Sequence, residues 1–123
     1  MLMSQDEVTR IRYLLSARKA RRVNDLASEM MRLTSVAAAM GVQQVIVFGS
    51  MAREQPGPDS DLDLLIVWDT PLDFLARTAA LYRQFQPQVP VDLLVYTPDE
   101  MTRMVELPFI QKILESGKVL YEA

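Results

Sequence analysis

Neither cysteine nor histidine occurs among the 123 residues. Their absence removes thiol nucleophiles, disulfides, the usual zinc sites and histidine general bases together. Catalysis, if there is any, has to run on carboxylates, hydroxyls, Lys, Arg or a metal held by oxygen. Long apolar runs are missing as well, and no window approaches the roughly 18 apolar residues of a membrane span. The first residues, Met1-Leu2-Met3-Ser4-Gln5-Asp6-Glu7, carry acids where a secretory signal would be basic. The cytoplasm is therefore the expected location.

What is present fits one globular domain: half the residues are hydrophobic and 24% are charged. The net charge of −3 is unevenly spread. Residues 1–50 hold seven Lys/Arg against four Asp/Glu, whereas residues 51–123 hold six against twelve. An acidic second half argues against a broad nucleic-acid-binding surface, which would be basic. It suits a site that recruits metal ions.

Residues 6–40 carry a helical pattern. Val8, Ile11 and Leu15 form one apolar stripe, and Val23, Leu26, Met30, Leu33, Ala37 and Met40 a second. The stripes read as out of phase, with the basic run Arg18-Lys19-Ala20-Arg21-Arg22 between them. Two helices, or one with a break there, are expected, and Gly41 ends the segment as a C-terminal cap. The second stripe reads first as a face packed on a sheet and second as a dimer seam. The basic run reads as a solvated face or as a contact for an acidic partner or RNA.

Beyond Gly41 the pattern changes to short apolar strands separated by turn and helix signals. Val45 to Phe48 is a buried strand, Gly49-Ser50 a turn, Met51 to Glu54 a brief helix, and Gln55 to Ser60 a loop with two prolines and a glycine. Asp61 to Trp68 is a second strand. Thr70 as N-cap, with Pro71 in the first turn, starts a helix to about Phe85 that presents Leu75, Ala79 and Tyr82 inward. Val91 to Tyr96 is a third strand, and Thr97-Pro98-Asp99-Glu100 has the spacing of a capping box. Pro108 to Ser116 is a last helix, closed by Gly117, and Lys118 to Tyr121 a short final strand. Helices followed by β-α-β-α-β-α-α-β give an α/β or α+β domain with helices on a small sheet. Residues 1–40 form a helical extension and 41–123 the core.

The chemistry concentrates between the first and third strands. Asp61 and Asp63 alternate along one strand and so share a face, about 6–7 Å apart at their α-carbons. Two such carboxylates can bracket a divalent ion, and bare they would repel. Asp92 opens the third strand and joins them if the two strands are neighbours. Three acids on adjacent strands are what two-metal phosphoryl or nucleotidyl transfer requires. Gly49 permits close approach of a phosphate, the helix after it points free N–H groups there, Ser50 adds a hydroxyl, and Arg53 a cation for the leaving group.

The string Phe48-Gly49-Ser50-Met51-Ala52-Arg53, followed by Asp59-Ser60-Asp61-Leu62-Asp63-Leu64-Leu65, resembles the minimal nucleotidyltransferases of the DNA polymerase β superfamily. Their signature is Gly-Ser, ten residues, Asp-x-Asp and a later acid on a following strand. The resemblance spans roughly residues 40–120. It implies a small mixed sheet with packed helices, Gly49, Ser50 and Arg53 on the triphosphate, and Asp61, Asp63 and Asp92 as metal ligands and catalytic residues. It also implies two Mg²⁺ ions, ATP as substrate and attack of an acceptor hydroxyl on the α-phosphorus. Glu54 stands where members often have Gly, which puts a negative charge near the phosphates.

Larger members carry an extra domain for the acceptor, and this chain has none to spare, so acceptor recognition falls to a dimer mate or another protein. Free-standing minimal forms resemble antitoxins whose partner is an all-helical HEPN ribonuclease toxin, and which transfer AMP to a toxin tyrosine. The amphipathic N-terminal segment is available for docking. Two other readings stand beside this one. A small-molecule transferase, of the aminoglycoside-modifying kind, would recruit Asp69, Asp73, Asp99 and Glu100 to an acidic acceptor pocket. A catalytically quiet nucleotide-binding subunit is the third, with Glu54 as its sequence support.

Overall fold

The computed structural model describes residues 2–53 and 61–123. The elements are α1 (Gln5–Ala39), β1 (Gln44–Phe48), β2 (Leu62–Val67), α2 (Phe74–Phe85), β3 (Val91–Tyr96), α3 (Pro98–Met104), α4 (Pro108–Ser116) and β4 (Lys118–Glu122). Glu54 and the loop Gln55 to Ser60 lie outside the described residues.

The N-terminal segment is one unbroken helix of 35 residues, not two helices or one broken at the basic run. Nothing between Gln5 and Ala39 is Gly or Pro, and the Arg-Lys-Ala-Arg-Arg run is built of strong helix formers. The two apolar stripes also share a face, because Val8 and Leu26 are separated by eighteen residues, five turns of 3.6. Ser4 caps the start, its hydroxyl accepting from the Glu7 N–H at 3.2 Å. At the other end Gly41 adopts φ +86°, Val42 N–H donates to Ala37 C=O and Gly41 N–H to Ala38 C=O. These paired bonds are a Schellman cap, and they reverse the chain into β1.

The four strands lie in the order β3-β2-β1-β4. β1 is antiparallel to both β2 and β4, and β2 is parallel to β3, which makes the sheet mixed. Alternation then sorts the side chains into two layers. Val45, Val47, Leu62, Leu64, Ile66, Val91, Leu93 and Val95 meet Leu26, Leu33 and Ala37 of α1 and Leu81 and Phe85 of α2 in the main core. Ile46 and Leu65 meet Ile110 and Ile113 of α4 on the other face, where Met101 and Met104 of α3 also pack.

α2 starts three residues later than Thr70 would place it. Its N-cap is Asp73, whose carboxylate accepts from Ala76 N–H at 2.8 Å, while the Thr70 hydroxyl is engaged by Leu72 N–H in the preceding turn. An ionised carboxylate gains from the helix dipole as well as from the hydrogen bond, so it outcompetes the hydroxyl. The inward face also differs. Arg77, Leu81 and Phe85 are buried, whereas Leu75 is 78% exposed, Ala79 is exposed and Tyr82 sits at the rim. A guanidinium can occupy the inner face because Nη1 donates to Glu100 and to Val95 C=O, and Nε to Leu72 C=O. Glu100 is at the same time the acid of the capping box on Thr97, and the Arg77 guanidinium beside it holds its carboxyl below the ordinary carboxylate range.

A second ion pair fixes α1 to the loop before β3. The buried Glu29 carboxylate takes Arg32 Nε at 2.6 Å and the Gln88 N–H, and Arg32 Nη2 continues to Phe85 C=O at 2.8 Å. The Arg32 hydrogen bond keeps Glu29 below its usual pKa against the opposing effect of burial.

Candidate functional site

β2 and β3 run in register, so Asp63 stands directly beside Asp92. In-register neighbours of parallel strands lie about 4.8 Å apart and point to the same face. Antiparallel pairing places Phe48 against Asp63 on the other side, which delivers the Gly49-Ser50 turn to the same corner. Asp61 enters β2 two residues earlier and belongs to that face too. The carboxylates thus occupy the face shared with α3 and α4, at the end of the sheet where β2 and β3 begin. The buried hydrophobic contacts of those helices are centred on Ile46 and Leu65, further along, with Phe48 beside Asp63 at their margin.

The electrostatics follow from that crowding. Burial pushes the Asp63 carboxyl up to about 6, with Asp92 as the next cause through charge and a shared hydrogen bond, then Asp61, while Arg53 pulls the other way. An acid beside two like charges and one cation is a poor structural element and a good seat for a hard divalent ion. No three acidic side chains close into a ready-made cage among the described residues. The donor set fits an ion that also draws ligands from phosphates and water, as Mg²⁺ usually does.

Gly49 holds φ +72°, and a Cβ built there would fall on Asp63 Oδ2 and 3.2 Å from its Cγ. The residue is therefore needed twice, for the left-handed turn and for room beside the carboxylate. Gly49→Ala is expected to destabilise the protein by about 1–2 kcal/mol and to cut nucleotidyl transfer by at least roughly 100-fold, the scale of a misplaced reacting group. Thermal melting and initial rates measured on one preparation check both parts. An alanine variant with full activity would show that Asp63 has freedom to move aside.

Where the sequence predicts a brief helix after Gly49-Ser50, the described residues as far as 53 form a single hydrogen-bonded turn and not a helix, closed by the Arg53 N–H to Gly49 C=O at 3.3 Å. Arg53 is exposed and Ser50 half-buried. All six residues singled out from sequence, Gly49, Ser50, Arg53, Asp61, Asp63 and Asp92, thus gather at one end of the sheet. Asp69, Asp73, Asp99 and Glu100 do not join them. They follow the C-terminal ends of β2 and β3, at the opposite end of the same strands, where Asp73 caps α2, Asp99 pairs with Arg103 and Glu100 with Arg77.

One neighbour of the site escaped the sequence. The Tyr82 hydroxyl donates to Val91 C=O at 2.6 Å, beside the Leu93 amide on the open edge of β3. It occupies the place of a further strand next to Asp92 and anchors the backbone that carries it. Its pKa is raised by burial, and the Asp92 charge acts in the same direction. Only a strand order with β3 at the edge reveals this role.

Similarity to known proteins agrees with this geometry. Over 82 residues the chain is 30% identical to a candidate protein adenylyltransferase of Methanocaldococcus jannaschii, covering 65% of this chain and 79% of the relative. It superposes on the crystal structure of a candidate nucleotidyltransferase from Sulfolobus solfataricus with a TM-score of 0.63 at 17% identity, over 85% and 87% of the two chains, a likeness of fold. A chain from the crystal structure of a toxin–antitoxin with AMP-PNP aligns more loosely, with a TM-score of 0.47 and 24% identity over 67% of this chain and 62% of that one. That level of likeness adds nothing to the assignment. The match to the polymerase beta nucleotidyltransferase family runs from residue 31 to residue 123, and because it takes in every strand and every carboxylate of this corner, the chain belongs to that family of nucleotidyltransferases.

Proposed function

We propose that the chain transfers AMP from ATP to a tyrosine hydroxyl of a HEPN-type toxin, acting as its antitoxin. The observation that carries the catalytic part is the in-register pair Asp63 and Asp92 against the Gly49 turn. Protein as the acceptor rests on the likeness to a candidate protein adenylyltransferase, and a toxin as that protein on the resemblance of free-standing minimal forms to antitoxins.

In this reading Asp61 and Asp63 would hold two Mg²⁺ ions, with Asp92 completing the second site, and the ions when bound would supply charge stabilisation to the transferring phosphate and the leaving pyrophosphate. Gly49 and Ser50 bind the triphosphate through backbone N–H groups and the hydroxyl, and Arg53 neutralises the β- and γ-phosphates. Asp92, on an edge strand and exposed, takes the proton of the incoming hydroxyl. The tyrosine oxygen forms a bond to the α-phosphorus, the bond from that phosphorus to the β-phosphate oxygen breaks, and pyrophosphate carries away the negative charge.

The test is transfer of label from ATP carrying a radioactive α-phosphate, with Mg²⁺, in a lysate of the source cell, beside Asp61→Asn/Asp63→Asn. One labelled protein band of another size, absent with the double variant, is expected. Label confined to small molecules or RNA would move the acceptor there and exclude the antitoxin role. Nucleotide binding with no label anywhere would leave a quiet subunit.

A further inference from the structure

In-line displacement aligns the attacking oxygen, the phosphorus and the departing oxygen, so acceptor and leaving group must lie on opposite sides of the site. The order β3-β2-β1 supplies those two sides. Gly49 and Ser50 follow β1 on one flank of Asp63, and Asp92 stands on the other flank. A triphosphate seated on the Gly49 turn therefore sends its pyrophosphate out over β1. The side left to the acceptor is that of β3, past Asp92.

What borders that side is apolar. Asp92, Leu94 and Tyr96 alternate onto one face of β3. In the row of Leu94, β2 and β1 place Leu65 and Ile46, which are 0% and 2% exposed beneath α4. Leu94 itself is only half-buried, as are Tyr96 and the α3 side chains Met101 and Met104 at the margin of the same cluster. Leu94 is two residues from Asp92, about 6.6 Å along the strand, a reach that a phenol ring spans. An apolar shelf thus begins at the carboxylate and runs along β3 under α3.

We propose that Leu94, Tyr96, Met101 and Met104 form the acceptor subsite, and that it holds the ring of a phenol-bearing side chain of a polypeptide. The inference rests on the transfer reading above and adds where the acceptor lies. Flexible thioethers adapt to an aromatic ring and gain from sulfur–ring contacts. A polycationic sugar would need carboxylates ready to receive its amines, whereas Glu100 is taken by Arg77 and Asp99 faces Arg103. The same two acids disfavour the phosphate backbone of an RNA acceptor. With the ring on Leu94, the phenol oxygen reaches Asp92, which takes its proton. That oxygen bonds to the α-phosphorus, the bond to the β-phosphate oxygen breaks, and pyrophosphate leaves over Gly49.

The probe is N-acetyl-tyrosinamide, compared with N-acetyl-serinamide. Methionine methyl groups labelled with carbon-13 report its binding directly, and Met101→Leu and Met104→Leu assign the two signals. In protein with Mg²⁺ and a non-hydrolysable ATP analogue, the tyrosine probe at millimolar concentration is expected to shift both signals. Those of Met30 and Met40, which pack in the main core on the other face of the sheet, should stay in place. Leu94→Ser is expected to weaken this titration, and kcat/KM for AMP transfer to the probe, about tenfold, while KM for ATP stays within twofold. Absent shifts overturn the proposal, as do equal shifts with the serine probe. Preferred transfer to an aminoglycoside or to an RNA end overturns it too. Shifts at Met101 and Met104 with no AMP transferred would uphold the subsite and count against the transfer reading alone. The wild-type titration decides the question even where the Leu94 variant folds poorly.

Discussion

Asp63→Asn is expected to raise the melting temperature of the metal-free protein at neutral pH while reducing nucleotidyl transfer by roughly 1,000-fold or more, the scale of losing a charge-stabilising group. The two effects have one origin. In the folded chain the Asp63 carboxyl titrates near 6 rather than at its ordinary 3.8. Between those values the native state holds a proton that the unfolded chain has released, so stability falls as pH rises from about 4 to about 6 and stays low above. After allowing for solvent screening, that loss is about 1–2 kcal/mol. Asparagine removes the charge and gives Asp92 a donor in place of a repelling acid. The wild-type melting temperature should therefore drop between pH 4 and 6.5 by several degrees more than that of the variant. Mg²⁺ with ATP should raise the wild-type value and leave the variant nearly unmoved, because only a ligand that binds the native state stabilises it. A variant less stable than wild type at pH 7 would show that the carboxylate pair is compensated within the chain itself.

Arg77→Ala should do the reverse, unfolding the protein more easily while sparing the chemistry. The residue is 5% exposed, and its guanidinium ties the turn before α2, the end of β3 and the start of α3 through Leu72, Val95 and Glu100. Removing one partner of a buried pair leaves polar groups without compensation, and since Glu100 is partly exposed a loss of about 2–4 kcal/mol is expected. For a domain of this size that corresponds to a fall of roughly 10 °C in melting temperature. Arg77 lies at the other end of β2 and β3 from Asp63, so transfer per folded molecule should change less than twofold well below the transition. Arg77→Met/Glu100→Gln should recover part of the lost stability, because it removes the stranded charge as well as its partner. Equal loss in the single and double variants would place the energy in packing of the long side chain and not in the ion pair.

Local chemistry settled much of the architecture in advance. Gly and Pro positions bounded the strands, the Thr97 and Glu100 pair marked α3, and Gly41 ended α1 at a positive φ because backbone geometry is a property of the residue itself; Gly117 keeps an ordinary extended φ and is required instead because a Cβ there would meet Ile113 C=O and the Ile46 side chain. Where the reading failed, a long-range partner was responsible. Arg77 is polar in any periodicity count and is buried only because Glu100, twenty-three residues away, meets it. Thr70 is a good cap in isolation and loses to Asp73 once the chain bends at Pro71. The expected break in α1 came from counting two stripes separately when five whole turns connect them.

At the candidate site the division is similar. Sequence alone determined the belonging: Gly-Ser, the ten-residue spacing and Asp-x-Asp lie close along the chain, and close spacing fixes which groups a single turn and a single strand present together. Tertiary structure alone decided that Asp92 stands in register with Asp63, that Gly49 must lack a side chain to admit that carboxylate, and that Tyr82 braces the strand bearing Asp92. Each of those depends on the order β3-β2-β1-β4, which is set by how apolar faces share one core and cannot be written in any local stretch of residues.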